Sequence, residues 1–222
     1  MILSYSTHKK MAFEQGGLKV IATQSPIVYR DLVLGFQGCN QLVNCYSDSY
    51  EKLELSHVFE LEGDLLLTQH LSAKYLSVIT KNYLKNIDSE SRDAILKAYL
   101  QLENRLQDSL LLEDLPLEIN FEEDLSKLVK LVGLHLDEKL MKNPYDILEM
   151  IIKVHCKCNL KTIPVICNAV HYLDQESFRE IESLLAQLKE TLFLIEFTDQ
   201  QFQAVVGNAE FYYIDEDLVD WY

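Results

Sequence analysis

Three apolar runs near the carboxyl end constrain this chain most. They are Ile163-Pro164-Val165-Ile166-Cys167, Leu192-Phe193-Leu194-Ile195 and Phe211-Tyr212-Tyr213-Ile214. Each is too short for a buried helix and shows no polar alternation, so each reads as a strand covered on both faces. Between the first two, Ile181, Leu184, Leu185 and Leu188 recur at helical spacing behind Asp174, an N-cap residue. Strand, helix, strand with continuous apolar strands predicts an α/β fold with a largely parallel sheet. In such sheets ligands gather beyond the carboxyl ends of the strands. Here that position is Asn168 to Leu173, which has no glycine and so makes no tight phosphate cradle.

Upstream, Gly16-Gly17 between Met11-Ala12-Phe13 and Leu18-Lys19-Val20-Ile21-Ala22 predicts a hairpin turn. Ser25-Pro26 opens a helix, serine as cap and proline at the first helical position, that ends near Gly35 to Gly38. Leu53–Leu55 and Leu65–Leu67 are further candidate strands. From Ser72 onward the texture is helical. Leu76, Ile79, Tyr83 and Leu84 form one stripe, Ile95, Ala98, Tyr99, Leu102 and Leu106 a second, and Leu125, Leu128, Val129 and Val132 a third. The predicted organisation is an α/β head from 1–72 and 143–222, with a helical arm inserted at 73–142. Asn143-Pro144 opens the helix that returns to the head, and Asn159 suits its left-handed end.

Several activities lack their residues. No G-x-x-x-x-G-K-[ST] motif occurs, and neither Gly16-Gly17 nor Gly35-Phe36-Gln37-Gly38 is followed by Lys-Ser or Lys-Thr. His155-Cys156-Lys157-Cys158, with Cys167 and His171, lacks the spacing of a zinc knuckle, so buried structural cysteines and a helix-terminal histidine are the better reading. Five cysteines form no paired framework, which fits a reducing, cytoplasmic setting. No apolar run is long enough to span a bilayer. The formal net charge of −15 repels polyanions unless positive charge is gathered in one place.

Charge is gathered in two places. The arm holds ten of the 20 basic residues, and Lys74, Lys81 and Lys85 share one helical face. They form either a solvated face or a phosphate-contacting stripe. Asp108, Glu113, Asp114, Glu118, Glu122, Glu123 and Asp124 are seven acids with no basic residue among them. They form either a solvated loop or the oxygen ligands of a hard cation such as calcium, though not an EF-hand.

In order and spacing, the chain resembles the type II-A CRISPR-associated family of spacer acquisition, Csn-two, in its short subtype. The features that carry the resemblance are Gly16-Gly17-Leu18-Lys19-Val20-Ile21, a helix bearing Arg30, and the helical insertion. They continue with the acidic stretch leading into Leu128-Val129-Lys130-Leu131-Val132-Gly133, the strand ending in Asn168, and Phe211-Tyr212-Tyr213-Ile214-Asp215-Glu216-Asp217. The resemblance implies a head like that of P-loop ATPases but without a Walker motif, no enzymatic activity, and a homotetrameric ring around linear double-stranded DNA. It also implies calcium bound by acidic residues near the arm, with Glu118, Glu122, Glu123 and Asp124 as candidates. The DNA contacts would come from Lys74, Lys81, Lys85, Arg30, Lys127 and Lys130. The implied partners are DNA ends, the CRISPR integrase complex and the RNA-guided nuclease of the same locus, with no membrane. The other readings of the residues are an acidic protein-binding scaffold without DNA affinity, and a nucleotide-binding enzyme with a divergent site.

Overall fold

The computed structural model describes residues 1–6, 8–14, 16–68, 70–111, 117 and 124–221. The chain divides into two units, Met1–Tyr75 with Asp137–Tyr222, and Leu76–Leu136. Among the described residues no helix is long and apolar enough to cross a membrane.

The first unit is mixed α/β with two sheets. Strand β1 (Ile2–Tyr5) pairs antiparallel with β2 (Met11–Ala12) and with β4 (Val43–Tyr46), and β4 pairs with β5 (Lys52–Leu53). The larger sheet takes β3 (Gly17–Thr23), β6 (Phe59–Asp64), β7 (Ile163–Cys167), β8 (Thr191–Phe197), β9 (Glu210–Ile214) and β10 (Asp220–Trp221). Its order is β10-β9-β3-β8-β7-β6, and every pair is parallel except β10 with β9. The three apolar runs are therefore β7, β8 and β9, in the parallel sheet that their lack of alternation predicts.

Three local expectations fail in whole or in part. Gly16 and Gly17 have φ of 90° and 81°, but they do not close a hairpin. β2 pairs with β1 in the small sheet, whereas β3 enters the large sheet beside β8 and β9. The glycines turn the chain from one sheet to the other, where the largely apolar β3 pairs with the largely apolar β8 and β9. Leu65–Leu67 is a turn rather than a strand, and the strand before it is β6. Similarly, Leu55 starts the short helix α2 (Leu55–Val58), leaving only Lys52 and Leu53 in β5.

The helix ends follow the capping residues. Ser25 caps α1 (Pro26–Phe36), Asn143 caps α6 (Pro144–Cys158) and Asp174 caps α7 (Gln175–Leu188). Asn159 ends α6 in the left-handed region at φ 52°. In the insertion, α3 (Leu71–Asn86), α4 (Ser89–Leu110) and α5 (Leu125–Leu131) follow one another. No strand occurs among the described residues from 65 to 162.

The head core joins both sheets and α1. Phe193 of β8 lies 5.4 Å from Phe13, 5.4 Å from Phe36 and 5.6 Å from Phe59, ring centre to ring centre. Edge-to-face geometry, as in the pairs with Phe13 and Phe59, suits the ring quadrupoles. α1 can approach the small sheet because Gly35 has no side chain. A Cβ there would overlap Val43 Cγ2 and lie 2.8 Å from Val43 Cβ. Alanine is normally the better helix former, but here Gly35→Ala is expected to lower stability by about 1–3 kcal/mol through overpacking. Urea unfolding measures the loss, and Val43→Ala in the same chain should recover most of it.

Candidate functional site

The most concentrated polar chemistry in the first unit lies at β6. This strand carries Glu60 and Glu62 with a register irregularity between Leu61 and Gly63. Glu62 is only 4% exposed. A carboxylate so buried needs partners; α3 supplies them directly, and two further segments extend the network. The first turn of α3 brings Lys74, whose Nζ lies 2.6 Å from Glu60 Oε1 and 2.5 Å from Glu62 Oε1. The next residue, Tyr75, is fully buried and donates its hydroxyl to Glu62 Oε1 at 2.6 Å. The last turn of α6 brings His155, 1% exposed, with Nε2 3.2 Å from the Tyr75 oxygen. Before β7, Thr162 completes the network: its hydroxyl donates to Glu60 Oε2 at 2.9 Å, and its carbonyl lies 3.0 Å from His155 Nδ1.

The protonation states follow from this packing. Burial drives the Glu62 carboxyl upward, and Lys74 and Tyr75 offset only part of the rise. Burial also pushes Glu60 up, but hydrogen bonds from Lys74 and Thr162 prevail and hold it below the usual range. Burial lowers His155, which favours the neutral imidazole. Glu60, Glu62 and His155 each offer one ligand atom, all within 4.8 Å of one another, so the group could hold a metal ion.

Sequence reading missed this centre. It placed the local strand at Leu65–Leu67 and took His155 for a helix-terminal histidine. The available signal was Glu-x-Glu in Val58-Phe59-Glu60-Leu61-Glu62, two acids at strand spacing within an apolar stretch.

Of the candidate calcium ligands, Glu118, Glu122 and Glu123 lie outside the described residues. Asp124 is the N-cap of α5 and accepts the Ser126 N–H at 2.9 Å. The Ser126 hydroxyl and backbone N–H hold its carboxyl below the ordinary range. Lys81 and Lys85 are exposed on α3, as are Lys127 and Lys130 on α5. Lys74 shares α3 with the first two, but its ammonium is bound between Glu60 and Glu62. Arg30 is exposed on α1, with its guanidinium 2.9 Å from Asp31 Oδ1. No cysteine joins a metal-ligating group among the described residues, and burial pushes the Cys167 thiol up to about 12.

The loop after β7 is closed by the chain itself. Asn168 is left-handed at φ 58°, and the next two N–H groups, of Ala169 and Val170, donate to Glu196 Oε1 and Oε2 at 3.0 and 3.2 Å. Tyr172 donates to both carboxylate oxygens of Asp64 at 2.8 and 3.0 Å, and Asn168 Nδ2 donates to the Tyr29 oxygen at 2.8 Å. Glu196 is wholly buried, and its desolvation raises the pKa to about 8 despite the two N–H donors.

These features define a two-unit α/β protein with a buried carboxylate–histidine cluster in the head and an insertion built of helices. No family model matches the chain, and no curated protein matches it in sequence. Among solved structures it is similar to Stu0660 of Streptococcus thermophilus, with a TM-score of 0.53 at 15% identity. That likeness covers 100% of this chain and 76% of the other, and it is a likeness of fold.

Two outcomes follow from the geometry. Tyr75→Phe removes a donor from a buried carboxylate and should cost about 1–3 kcal/mol of stability. The cost should shrink when Glu62→Gln is present, and a double-mutant cycle on urea unfolding measures the difference. Glu196 binds a proton in the folded state that it has released when unfolded. Its contribution is complete below about 4.5 and is lost as pH rises through about 8. Glu196→Gln should therefore flatten the fall in unfolding free energy between pH 5 and 8, measured as the urea midpoint at each pH.

Proposed function

We propose that this chain is a non-enzymatic, calcium-dependent ring protein that binds the ends of linear double-stranded DNA and supports spacer acquisition in CRISPR defence. The observation that carries the proposal is where exposed positive charge sits. In a chain of net charge −15, α3 and α5 present Lys81, Lys85, Lys127 and Lys130 to solvent. A single acidic chain is a poor ligand for a polyanion. Four copies that turn these helices toward one hole would concentrate positive charge inside and leave the acids outside. Lys81 and Lys85 are the foremost contacts in this reading, since Lys74 already neutralises Glu60 and Glu62.

Further features support it. The order of sequence elements resembles that of the Csn-two family, and the fold likeness to Stu0660 extends over the whole chain, insertion included. The helical unit exposes Leu102, Leu106, Leu131 and Val132, apolar surface that assembly would cover. In the same unit Glu103 is 8% exposed, and its Oε1 has no hydrogen-bond partner among the described residues. A buried carboxylate oxygen of that kind is satisfied by a cation, which suits a calcium-binding protein. The head fits a P-loop-like ancestry without the chemistry. Between β3 and α1 stand only Gln24 and Ser25, with no glycine loop to cradle phosphates and no lysine behind it.

The test compares one DNA sequence as a linear duplex, as the same duplex with both ends capped by bulky groups, and as a closed circle, all with calcium present. Binding should be confined to the open linear form, independent of base sequence, and steeply weakened by salt. Lys81→Ala and Lys85→Ala should each lower the magnitude of the salt slope by roughly 1 per phosphate contact removed, hence by up to roughly 4 in a ring of four chains. Equal affinity for all three DNAs would reject end loading. Failure to bind any of them at low salt would leave the acidic scaffold as the better reading. Calcium should raise the sedimentation coefficient toward that of a tetramer by favouring the assembled state. ATP turnover that survives repurification and is abolished by a head-domain substitution would reject the non-enzymatic assignment.

A further inference from the structure

We propose that Glu60, Glu62 and His155 form a head-domain site for a divalent transition-metal ion, zinc or its analogue cobalt, which enters by displacing the Lys74 ammonium. The site is separate from the acidic stretch implicated in calcium binding and does not depend on the DNA reading.

The hydrogen bonding of His155 carries the inference. The Thr162 carbonyl, 3.0 Å from Nδ1, can only accept, so Nδ1 carries the ring proton. In the neutral ring, Nε2 then presents a lone pair. Its neighbour is the Tyr75 hydroxyl at 3.2 Å, which has one proton to give. The Glu62 oxygen takes that proton at the shorter distance of 2.6 Å. A buried nitrogen lone pair is thus left without a donor of its own, facing two carboxylates. A metal ion satisfies all three. A histidine whose other ring nitrogen is held by a backbone carbonyl is also the usual arrangement of a metal ligand, because the bond fixes both tautomer and orientation.

Thr162 prepares a second ligand as well, since its hydroxyl donates to Glu60 Oε2 and leaves Oε1 facing inward to Lys74. The position between the carboxylates is already occupied by a cation, because Lys74 Nζ is bonded to both. Exchange of one ammonium for one divalent ion takes the group from one excess negative charge to none. It is sterically open: the Lys74 and Glu60 side chains are 31% and 33% exposed, so the ammonium can swing into water. One nitrogen and two carboxylates suit zinc or cobalt and disfavour calcium and magnesium, which prefer oxygen-only shells. Three protein ligands also leave a fourth tetrahedral position open.

The experiment uses the full chain stripped with a chelator and titrated with Co2+ alone, followed by visible absorption and calorimetry. The expected result is one Co2+ bound per chain with a tetrahedral ligand-field band that Zn2+ bleaches and Ca2+ does not. Lys74→Met should bind at least about ten-fold more tightly, because the competing ammonium is gone. His155→Gln should lose the band, and Thr162→Val should weaken binding by about 10-fold through the lost support of Glu60. In the wild-type chain, Co2+ should shift the ring protons of one histidine, the resonance absent from His155→Gln. That measurement does not require the Lys74 variant to fold. The proposal fails if wild type shows neither band nor histidine shift, or if His155→Gln, folded by circular dichroism, retains both. It also fails if an intense thiolate charge-transfer band shows that cysteine holds the metal, or if folded Lys74→Met binds no better than wild type.

Discussion

The head depends on one ring. Phe193 sits on β8, between β3 and β7, and meets Phe13 from the segment leaving the small sheet, Phe36 from the end of α1 and Phe59 from the start of β6. These are contacts among segments that the sequence separates widely, and all are within a core from which water is excluded. Burying a large aromatic side chain contributes about 1.5–3 kcal/mol, and each well-oriented aromatic pair adds a further fraction. The constraint also fixes what surrounds it. α1 must lie close enough to the small sheet for Gly35 to pass over Val43, and β3 must run beside β8 for its whole length.

The placement of β6 next to β7 creates the polar problem that the head then solves. Register along the edge strand puts Glu62 inside, where an isolated carboxylate would be costly. Lys74, Tyr75, Glu60, Thr162 and His155 answer with a connected network, which draws the first turn of α3, the last turn of α6 and the residue before β7 to one point. Lys74 therefore has a structural task that Lys81 and Lys85 on the same helix do not share. The network holds one hydroxyl proton between two acceptors, and this imbalance is where a metal ion would fit.

At the other end of the parallel strands, the position where ligands of α/β proteins usually bind is filled from within. The carboxyl oxygens of Glu196 occupy the two N–H groups after Asn168, and Tyr172 ties the same loop to Asp64. Together with the short Gln24-Ser25 link into α1, this leaves no phosphate cradle among the described loops there. That closure accords with a protein whose proposed work lies on the exposed lysines of its helical unit rather than at the sheet edge.

Much of this architecture was legible in the chain. The unbroken apolar runs specified β7, β8 and β9 as interior parallel strands, because only a strand buried on both faces dispenses with alternation. Ser25, Asn143 and Asp174 specified helix starts, because N-capping is a bond between a side chain and backbone a few residues away, and Asn159 specified a helix end by its tolerance of the left-handed backbone. Tertiary structure decided what depends on distant partners. It made Gly16-Gly17 a passage between sheets rather than a hairpin, since positive φ permits a turn but does not choose which strand lies beyond it. It turned Leu65–Leu67 out of the sheet and put Glu60 and Glu62 in. It joined Tyr75 to His155 across 80 positions and Thr162 to Glu60 across 102. Periodicity and capping are local and can be read along the chain, whereas a buried charge selects its partners only after the strands have paired and the water has gone.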